Sequence, residues 1–341
     1  MGESVPTVEL KVIDVVRETD DACSIAFEPA EELSYSPGQF LTLLVPHPDG
    51  PIGRCYSLCS SPHLDEPMRV AVKRIADGLG SNWINDNVCI GDVVESLAPS
   101  GVFVPRSLDD DLLLFAGGSG ITPVLSILKS ALAKGSGRVV LVYANQHENA
   151  VIFAAELREL AADYPERLHV IHWLESVQGL PSRPQLRALA EPFSSYTAFV
   201  CGPSPFMESV SHVLRELGVP PSRIHIERFQ SLAENPFTVG ATVEVADGDD
   251  STASLTVSLD GQQHALDWPR NKKLLDFLLE KGIKAPFSCR QGACSACACI
   301  LSDGEVKMIK NEILEQDDLD EGFVLACQSL PISDTVAVRY D

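Results

Sequence analysis

Cys289-Arg-Gln-Gly-Ala-Cys294-Ser-Ala-Cys297, followed after a gap of twenty-nine residues by Cys327, is the stretch on which the reading of this chain turns. Its spacing, C-x4-C-x2-C…C, is that of plant-type [2Fe–2S] sites. Such a cluster needs four thiolates on two irons, three of them from one tight loop. Gly292, Ala293, Ser295 and Ala296 supply small residues that let backbone N–H groups point at the sulfides. Structural zinc competes for the same residue type, but it usually pairs two CxxC knuckles. A chance clustering of buried cysteines is the weakest alternative. Cys289, Cys294, Cys297 and Cys327 are therefore the expected metal ligands. Six further cysteines are scattered (Cys23, Cys55, Cys59, Cys89, Cys201 and Cys299), and Cys299 reads as a buried strand cysteine rather than a fifth ligand.

Working outward, Leu255, Val257 and Leu259 alternate up to Asp260-Gly261, a hairpin signal, and a return strand runs to Trp268. Leu274, Leu275, Leu278 and Leu279 lie on one expected helical face. After the cluster loop come two short strands and a last one at 335–340. The sum is a β-grasp ferredoxin domain over 255–341. Upstream, the polar stretch 231–254, with Asp247-Gly-Asp-Asp250, reads as a linker that lets this domain pivot.

From Asp111 the chain alternates apolar strands and amphipathic helices. Strands are expected at 112–116, 139–143, 169–173, 198–201 and 224–227. Ile121, Val124, Leu125, Leu128 and Leu132 share a helix face, so residues 108–230 predict a doubly wound parallel sheet. Its first strand–helix turn is Gly117-Gly-Ser-Gly-Ile-Thr-Pro123. Glycines there let the backbone approach a pyrophosphate at a helix N-terminus. The turn alone is a weak signal, because its last position is Pro rather than Gly. Cys201-Gly202-Pro203 ends the fourth strand at the carboxyl edge, where such sheets bind ligands. Asn145-Gln-His-Glu-Asn149 follows the second strand with no cation for a 2′-phosphate, which favours NADH over NADPH.

Residues 1–107 carry β-rich runs at 8–16, 24–27, 39–45, 55–59 and 68–73, separated by Pro and Gly signals, which predict an antiparallel barrel. Arg54-Cys-Tyr-Ser57 places a phosphate fork, an aromatic face and a short hydroxyl on one strand. That combination suits an isoalloxazine with a phosphate tail. Lys73-Arg74 and Gly78-Leu-Gly-Ser81 follow it.

The composition agrees. The chain has 341 residues, Lys+Arg 26 against Asp+Glu 48, and a net charge of −22, which disfavours nucleic acid. No apolar run reaches membrane-spanning length, and Met1–Leu10 carries neither the basic nor the apolar segment of a signal peptide. A cytoplasmic protein of two or three domains is expected.

These three segments together resemble the ferredoxin-reductase superfamily with a C-terminal plant-type ferredoxin domain, the reductase components of multicomponent oxygenases. Through Arg54-Cys-Tyr-Ser-Leu58, Gly80-Ser-Asn-Trp83, the Gly117–Leu125 turn and His172-Trp-Leu-Glu-Ser-Val-Gln-Gly-Leu180, the resemblance runs to the reductases of 3-ketosteroid 9α-hydroxylase. It implies Arg54, Tyr56 and Ser57 on the flavin, with Tyr56 against the ring and Ser57 near N5, and Lys73 among the flavin contacts. It puts Gly78, Gly80 and Ser81 on the flavin phosphates, and Gly118, Gly120 and Thr122 on the dinucleotide. Cys201 and Gly202 border the nicotinamide, and Phe229 supplies an aromatic near the flavin. The implied catalytic residues are thus Ser57, Cys201 and Phe229. The implied cofactors are FAD (FMN in some relatives), NADH and a [2Fe–2S] cluster, and the implied partner is a terminal oxygenase, with a Rieske centre favoured. Another Rieske or di-iron monooxygenase client is the alternative. A non-catalytic redox sensor is disfavoured, because all three electron-transfer stations are present and no effector-binding segment is left over. Between the third and fourth cluster ligands, Glu312, Glu315, Asp317, Asp318, Asp320 and Glu321 form an acidic run that would steer a basic partner face.

Overall fold

A computed structural model describes residues 7–64, 66–232, 235–237, 251–259, 261–314 and 316–340, without the side chain at 317. Asp260 of the expected hairpin turn, Asp247-Gly-Asp-Asp250 with most of the expected linker, Glu315, and Met1 to Pro6 lie outside the described residues. The chain divides into two compact units: one comprises Thr7–Pro99 and Phe103–Ser231, the other chiefly the residues from Leu232 onward. No helix among the described residues is long and apolar enough to cross a membrane.

The first unit begins with β1 (Val8–Thr19), β2 (Ala22–Pro29), β3 (Phe40–Val45), β4 (Ile52–Ser57), β5 (Met68–Lys73), α1 (Leu79–Asn87) and β6 (Val93–Ser100). Their six strands run in the order β4-β3-β6-β1-β2-β5. The end strands meet through a Leu58–Val70 bridge and a Cys59 N–H donated to the Arg69 carbonyl at 2.8 Å, so the sheet closes as an antiparallel barrel. Leu10, Val12, Ile25, Phe27, Leu41, Leu43 and Val70 fill it. Two elements depart from expectation. β6, Val-Val-Glu-Ser-Leu-Ala-Pro-Ser, lacks strong alternation, yet it sits inside the sheet between β3 and β1. Gly78-Leu-Gly-Ser81 opens a helix despite the poor helix formers Gly80, Asn82, Asn85 and Asn87. Tertiary contacts hold that helix, with Ile84 buried and the Asn85 amide donating to the Val72 carbonyl at 3.0 Å.

The unit continues with β7 (Leu112–Gly117), α2 (Ile121–Lys134), β8 (Val139–Asn145), α3 (Ala154–Asp163), β9 (Leu168–Leu174), α4 (Glu175–Gln178), α5 (Arg183–Ala190), β10 (Thr197–Cys201), α6 (Ser204–Glu216) and β11 (Ile224–Glu227). All five strands are parallel, in the order β11-β10-β7-β8-β9. Alternation along β7 sends Leu112, Leu114 and Ala116 against α2 and α3, and Leu113 and Phe115 against α5 and α6. The sheet is doubly wound, and its strand order reverses between β7 and β10. Helix α2 also faces the barrel. Buried Lys129 donates to Glu66 and Glu156 at 2.8 Å each, and the Ser126 hydroxyl donates to the Ser60 carbonyl at 2.6 Å. Pairing the ammonium with two carboxylates offsets its desolvation.

The second unit holds β12 (Thr252–Leu259), β13 (Gln262–Pro269), α7 (Leu274–Glu280), β14 (Ala298–Asp303), β15 (Val306–Met308), α8 (Gln316–Asp320), β16 (Phe323–Leu325), β17 (Ser329–Pro331) and β18 (Thr335–Arg339). A mixed sheet runs β13-β12-β18-β14-β16, with β12 and β18 parallel, beside a β15–β17 pair. Four short strands, not two, follow the cluster loop before β18 closes the sheet. On α7 the buried set is Leu274, Leu275, Phe277 and Leu278, so Phe277 takes the place expected of Leu279.

Candidate functional site

Three stations emerge. The first joins β4 to the start of α1. A Cβ added at Gly80 would stand 2.8 Å from Arg54 Cγ and 3.4 Å from Tyr56 Oη, so this glycine leaves room where strand and helix converge. Burial pushes the Tyr56 phenol well above its usual range, and Ser57 is buried at the end of the strand. The first turn of α1 has neither an acidic side chain nor a side-chain cap, which leaves its N–H groups and dipole available to an anion. Ser81 Oγ accepts the Ile75 N–H at 3.2 Å and crowds Gly78, whose Cβ would lie 2.6 Å from it. A fork of positive charge, an aromatic side chain and an uncapped helix start fit a flavin with a phosphate tail. Lys73, at the end of β5, lies 3.5 Å from Asp21.

The second station is the switch point of the parallel sheet, where the turn after β7 meets the turn after β10. A Cβ on Gly120 would lie 2.2 Å from the Cys201 carbonyl oxygen, and one on Gly202 would lie 2.9 Å from Gly117 N. These glycines let two backbones pack against each other. Gly118 is different: its φ is +53° and a Cβ there would meet nothing within 4 Å. It borders open space and suits a ligand's approach. The Thr122 hydroxyl donates back to the Ser119 carbonyl at 3.1 Å, and the Tyr143 hydroxyl donates to the Gly118 carbonyl at 3.1 Å, so the turn is held from both sides. Cys201 is fully buried, which raises its thiol well above the ordinary value.

Sequence reasoning missed Glu227. It lies beside Cys201 in the β10–β11 register. Desolvation pushes its carboxyl up to about 8 against the pull of Arg228, so at neutral pH it holds a proton. The signal available was its place as the last residue of the last strand, at the carboxyl edge. Phe229, two residues on, is 49% exposed.

The third station is the cluster loop. The Cys289 N–H donates to Cys294 Sγ at 3.4 Å, the Gln291 N–H to Cys289 Sγ at 3.3 Å, and the Gln328 amide to Cys327 Sγ at 3.7 Å. Arg290 adopts φ +58°, and its guanidinium pairs with Asp276 at 2.5 Å. Gly292 has φ +76°, and a Cβ there would lie 2.7 Å from the Lys310 carbonyl oxygen. Donors directed at sulfur, on a loop held in left-handed backbone, fit a thiolate-ligated cluster. No three His, Cys, Asp or Glu groups among the described residues converge on one mononuclear metal position. A binuclear cluster, with two cysteines per iron, does not require that. Cys299 lies buried in β14, opposite Val324.

Comparison with known proteins agrees with these stations. The chain matches an oxidoreductase FAD-binding domain over 9–104, an oxidoreductase NAD-binding domain over 114–212 and a 2Fe-2S iron-sulfur cluster binding domain over 257–331. It is 54% identical to the ferredoxin reductase component of 3-ketosteroid-9-alpha-monooxygenase of Mycolicibacterium smegmatis, covering 98% of this chain and 97% of that one. It is 52% identical to the corresponding component of Rhodococcus rhodochrous, again covering 98% of this chain and 97% of that one. Among solved structures, phthalate dioxygenase reductase shares the fold with a TM-score of 0.59 at 23% identity, over 98% of each chain. With all three domains matched in order and relatives of this identity over nearly their whole length, the chain belongs to the family of ferredoxin reductase components of 3-ketosteroid-9-alpha-monooxygenase.

Proposed function

We propose that this protein is the cytoplasmic reductase that carries electrons from NADH through FAD and the [2Fe–2S] cluster to a Rieske-type terminal oxygenase acting on 3-ketosteroids in steroid degradation. When bound, the flavin accepts a two-electron hydride and the cluster carries single electrons, which is why both are needed between NADH and an oxygenase. The observation that carries the reading is the joint presence of a sulfur-directed donor loop and two glycine-bearing helix starts in a chain whose 54%-identical relatives are named ferredoxin reductase components of 3-ketosteroid-9-alpha-monooxygenase.

In this reading Arg54, the Gly80 N–H and Ser81 hold the flavin phosphates beside Gly78, whose own N–H donates to the Ile75 carbonyl at 2.9 Å. Tyr56 packs on the ring, Ser57 offers its hydroxyl near N5, and Phe229 covers the other side until the nicotinamide arrives. Gly118 admits the dinucleotide, Gly120 and Thr122 shape its turn, and Cys201 and Gly202 border the nicotinamide. Lys73 has a supporting role through Asp21, which keeps the β1–β2 hairpin on β5. Cys289, Cys294, Cys297 and Cys327 ligate the irons. The domain limits that go with this are 1–107, 108–230 and 255–341, joined by 231–254. The acidic run steers a basic face of the oxygenase, so transfer to that partner should slow as salt rises.

Anaerobic mixing of the pure holoprotein with NADH tests the proposal. Prompt bleaching of both the flavin and the cluster absorption is expected. Bleaching of neither would refute it.

A further inference from the structure

Gln328 follows the fourth cluster cysteine and is 3% exposed. Its backbone is fixed on both sides, the N–H donating to the Leu325 carbonyl and the carbonyl accepting the Ile309 N–H, each at 2.9 Å. Its side chain is aimed. Nε2 donates to the Arg290 carbonyl at 3.0 Å and to Cys327 Sγ at 3.7 Å. A primary amide carries two N–H groups, so one nitrogen serves both acceptors. Cγ of the same side chain lies 3.1 Å from where a Cβ on Gly292 would stand. One carboxamide thus spans the two parts of the ligand set, the loop that carries Cys289, Cys294 and Cys297 and the distant fourth cysteine. The point it grips in the loop is the costly one. Arg290 has φ +58°, a conformation that residues with a Cβ rarely adopt, and its guanidinium is held separately by Asp276 at 2.5 Å. The donors to sulfur at Cys289 and Gln291 are backbone N–H groups, which nearly any residue would supply. At Cys327 the donor is a side chain, so the residue type matters.

Resting on the cluster reading given above, we infer that Gln328 is a positioning residue for electron transfer: its carboxamide ties Cys327 to the cluster loop, and its N–H on Cys327 Sγ raises the potential at which the cluster accepts an electron. When the cluster takes up one electron, no bond is made or broken, and part of the added negative charge falls on the ligating sulfurs. An N–H dipole pointing at one of those sulfurs favours the reduced form over the oxidised one. Burial strengthens the effect, because no water competes for the sulfur. A carboxylate in the same place would set its oxygens against a carbonyl and a thiolate, and an apolar side chain would leave both acceptors without this donor. A higher cluster potential favours the passage of electrons from the flavin to the cluster.

Redox titration of the holoprotein, with the cluster followed by EPR and the flavin by absorbance, tests this. Gln328→Met keeps the length of the side chain without its donors. It should lower the cluster midpoint by about 59 mV, a tenfold shift of the one-electron equilibrium, while the flavin midpoint stays fixed. Gln328→Glu, nearly the same shape with a negative charge, should lower the midpoint further. A purely structural role would reduce Tm or cluster content without moving the midpoint of the clusters that remain. Unchanged or higher cluster midpoints in these variants would therefore overturn the assignment, as would equal shifts of cluster and flavin. Failure of both variants to hold a cluster would make Gln328 an assembly residue and overturn its part in the potential. A wild-type holoprotein that gives no [2Fe–2S] EPR signal on reduction would overturn the cluster reading itself.

Discussion

The turn that opens α1 and the turn that opens α2 both bring glycines to a helix N-terminus, yet they use them differently. At α1 the crowding atoms around Gly80 are side-chain atoms, Arg54 Cγ at 2.8 Å and Tyr56 Oη at 3.4 Å. At α2 the atom crowding Gly120 is the Cys201 carbonyl oxygen, at 2.2 Å, and backbone cannot swing aside. The same residue type thus leaves room among side chains in the barrel and holds a backbone crossing in the sheet. Within the second turn, Gly118 alone borders open space, the position proposed above to admit the dinucleotide. A glycine-rich fingerprint therefore mixes fold-making and ligand-making positions that spacing alone does not separate.

Gly120→Ala should have the largest effect. A methyl group driven into the β10 carbonyl should destabilise the first unit by about 3 kcal/mol or more, measurable by urea unfolding of the holoprotein. A shift below about 1 kcal/mol would show that the crossing can relax. Gly80→Ala should be milder for the fold and harsher for the cofactor. Because Arg54 and Tyr56 can move, flavin affinity should fall about tenfold while the apoprotein loses little stability, as read by flavin release. Gly118→Ala adds no clash but places Ala at φ +53°, a strain of about 1–2 kcal/mol. Thermal unfolding should show a loss smaller than that of Gly120→Ala, and equal losses at the two positions would erase the distinction between them.

The smallest effect concerns pH at the switch point. Glu227 titrates at about 8 in the fold, so between the ordinary carboxyl range and pH 8 the native state keeps a proton that the unfolded chain has released. Its contribution is fully present at acid pH and is lost as pH rises through 8. Glu227→Gln should therefore flatten the decline of Tm across pH 5–8. A parallel decline in the variant would mean that the carboxyl is not desolvated.

Much of this architecture was legible because the periodicities were strong. The five apolar strands of the parallel sheet lie where Leu112, Val139, His169, Ala198 and Ile224 announced them. The elements that were missed are those where tertiary contacts override local preference. β6 is a polar-patterned strand inserted between two strong ones, and α1 is rich in Gly and Asn but held by Asn85 and Ile84. Phe277 displaced Leu279 because the buried stripe of a helix barely two turns long is narrow, and one position shifts it. In the site, the cysteine spacing and the Arg54–Tyr56–Gly80 group were readable from residue type. Glu227 was not. Its raised carboxyl comes from desolvation at the carboxyl edge of a half-buried strand end, and a linear sequence does not display desolvation.

The central claim is that NADH oxidation at the flavin and electron storage at the four-cysteine loop are separate modules of one path. Cys294→Ser tests it most directly, with cluster absorbance and EPR read beside NADH–ferricyanide turnover on the same preparation. The account predicts loss of the cluster signals with flavin-dependent ferricyanide reduction retained. Loss of both activities together, in protein that keeps its full flavin content, would contradict it.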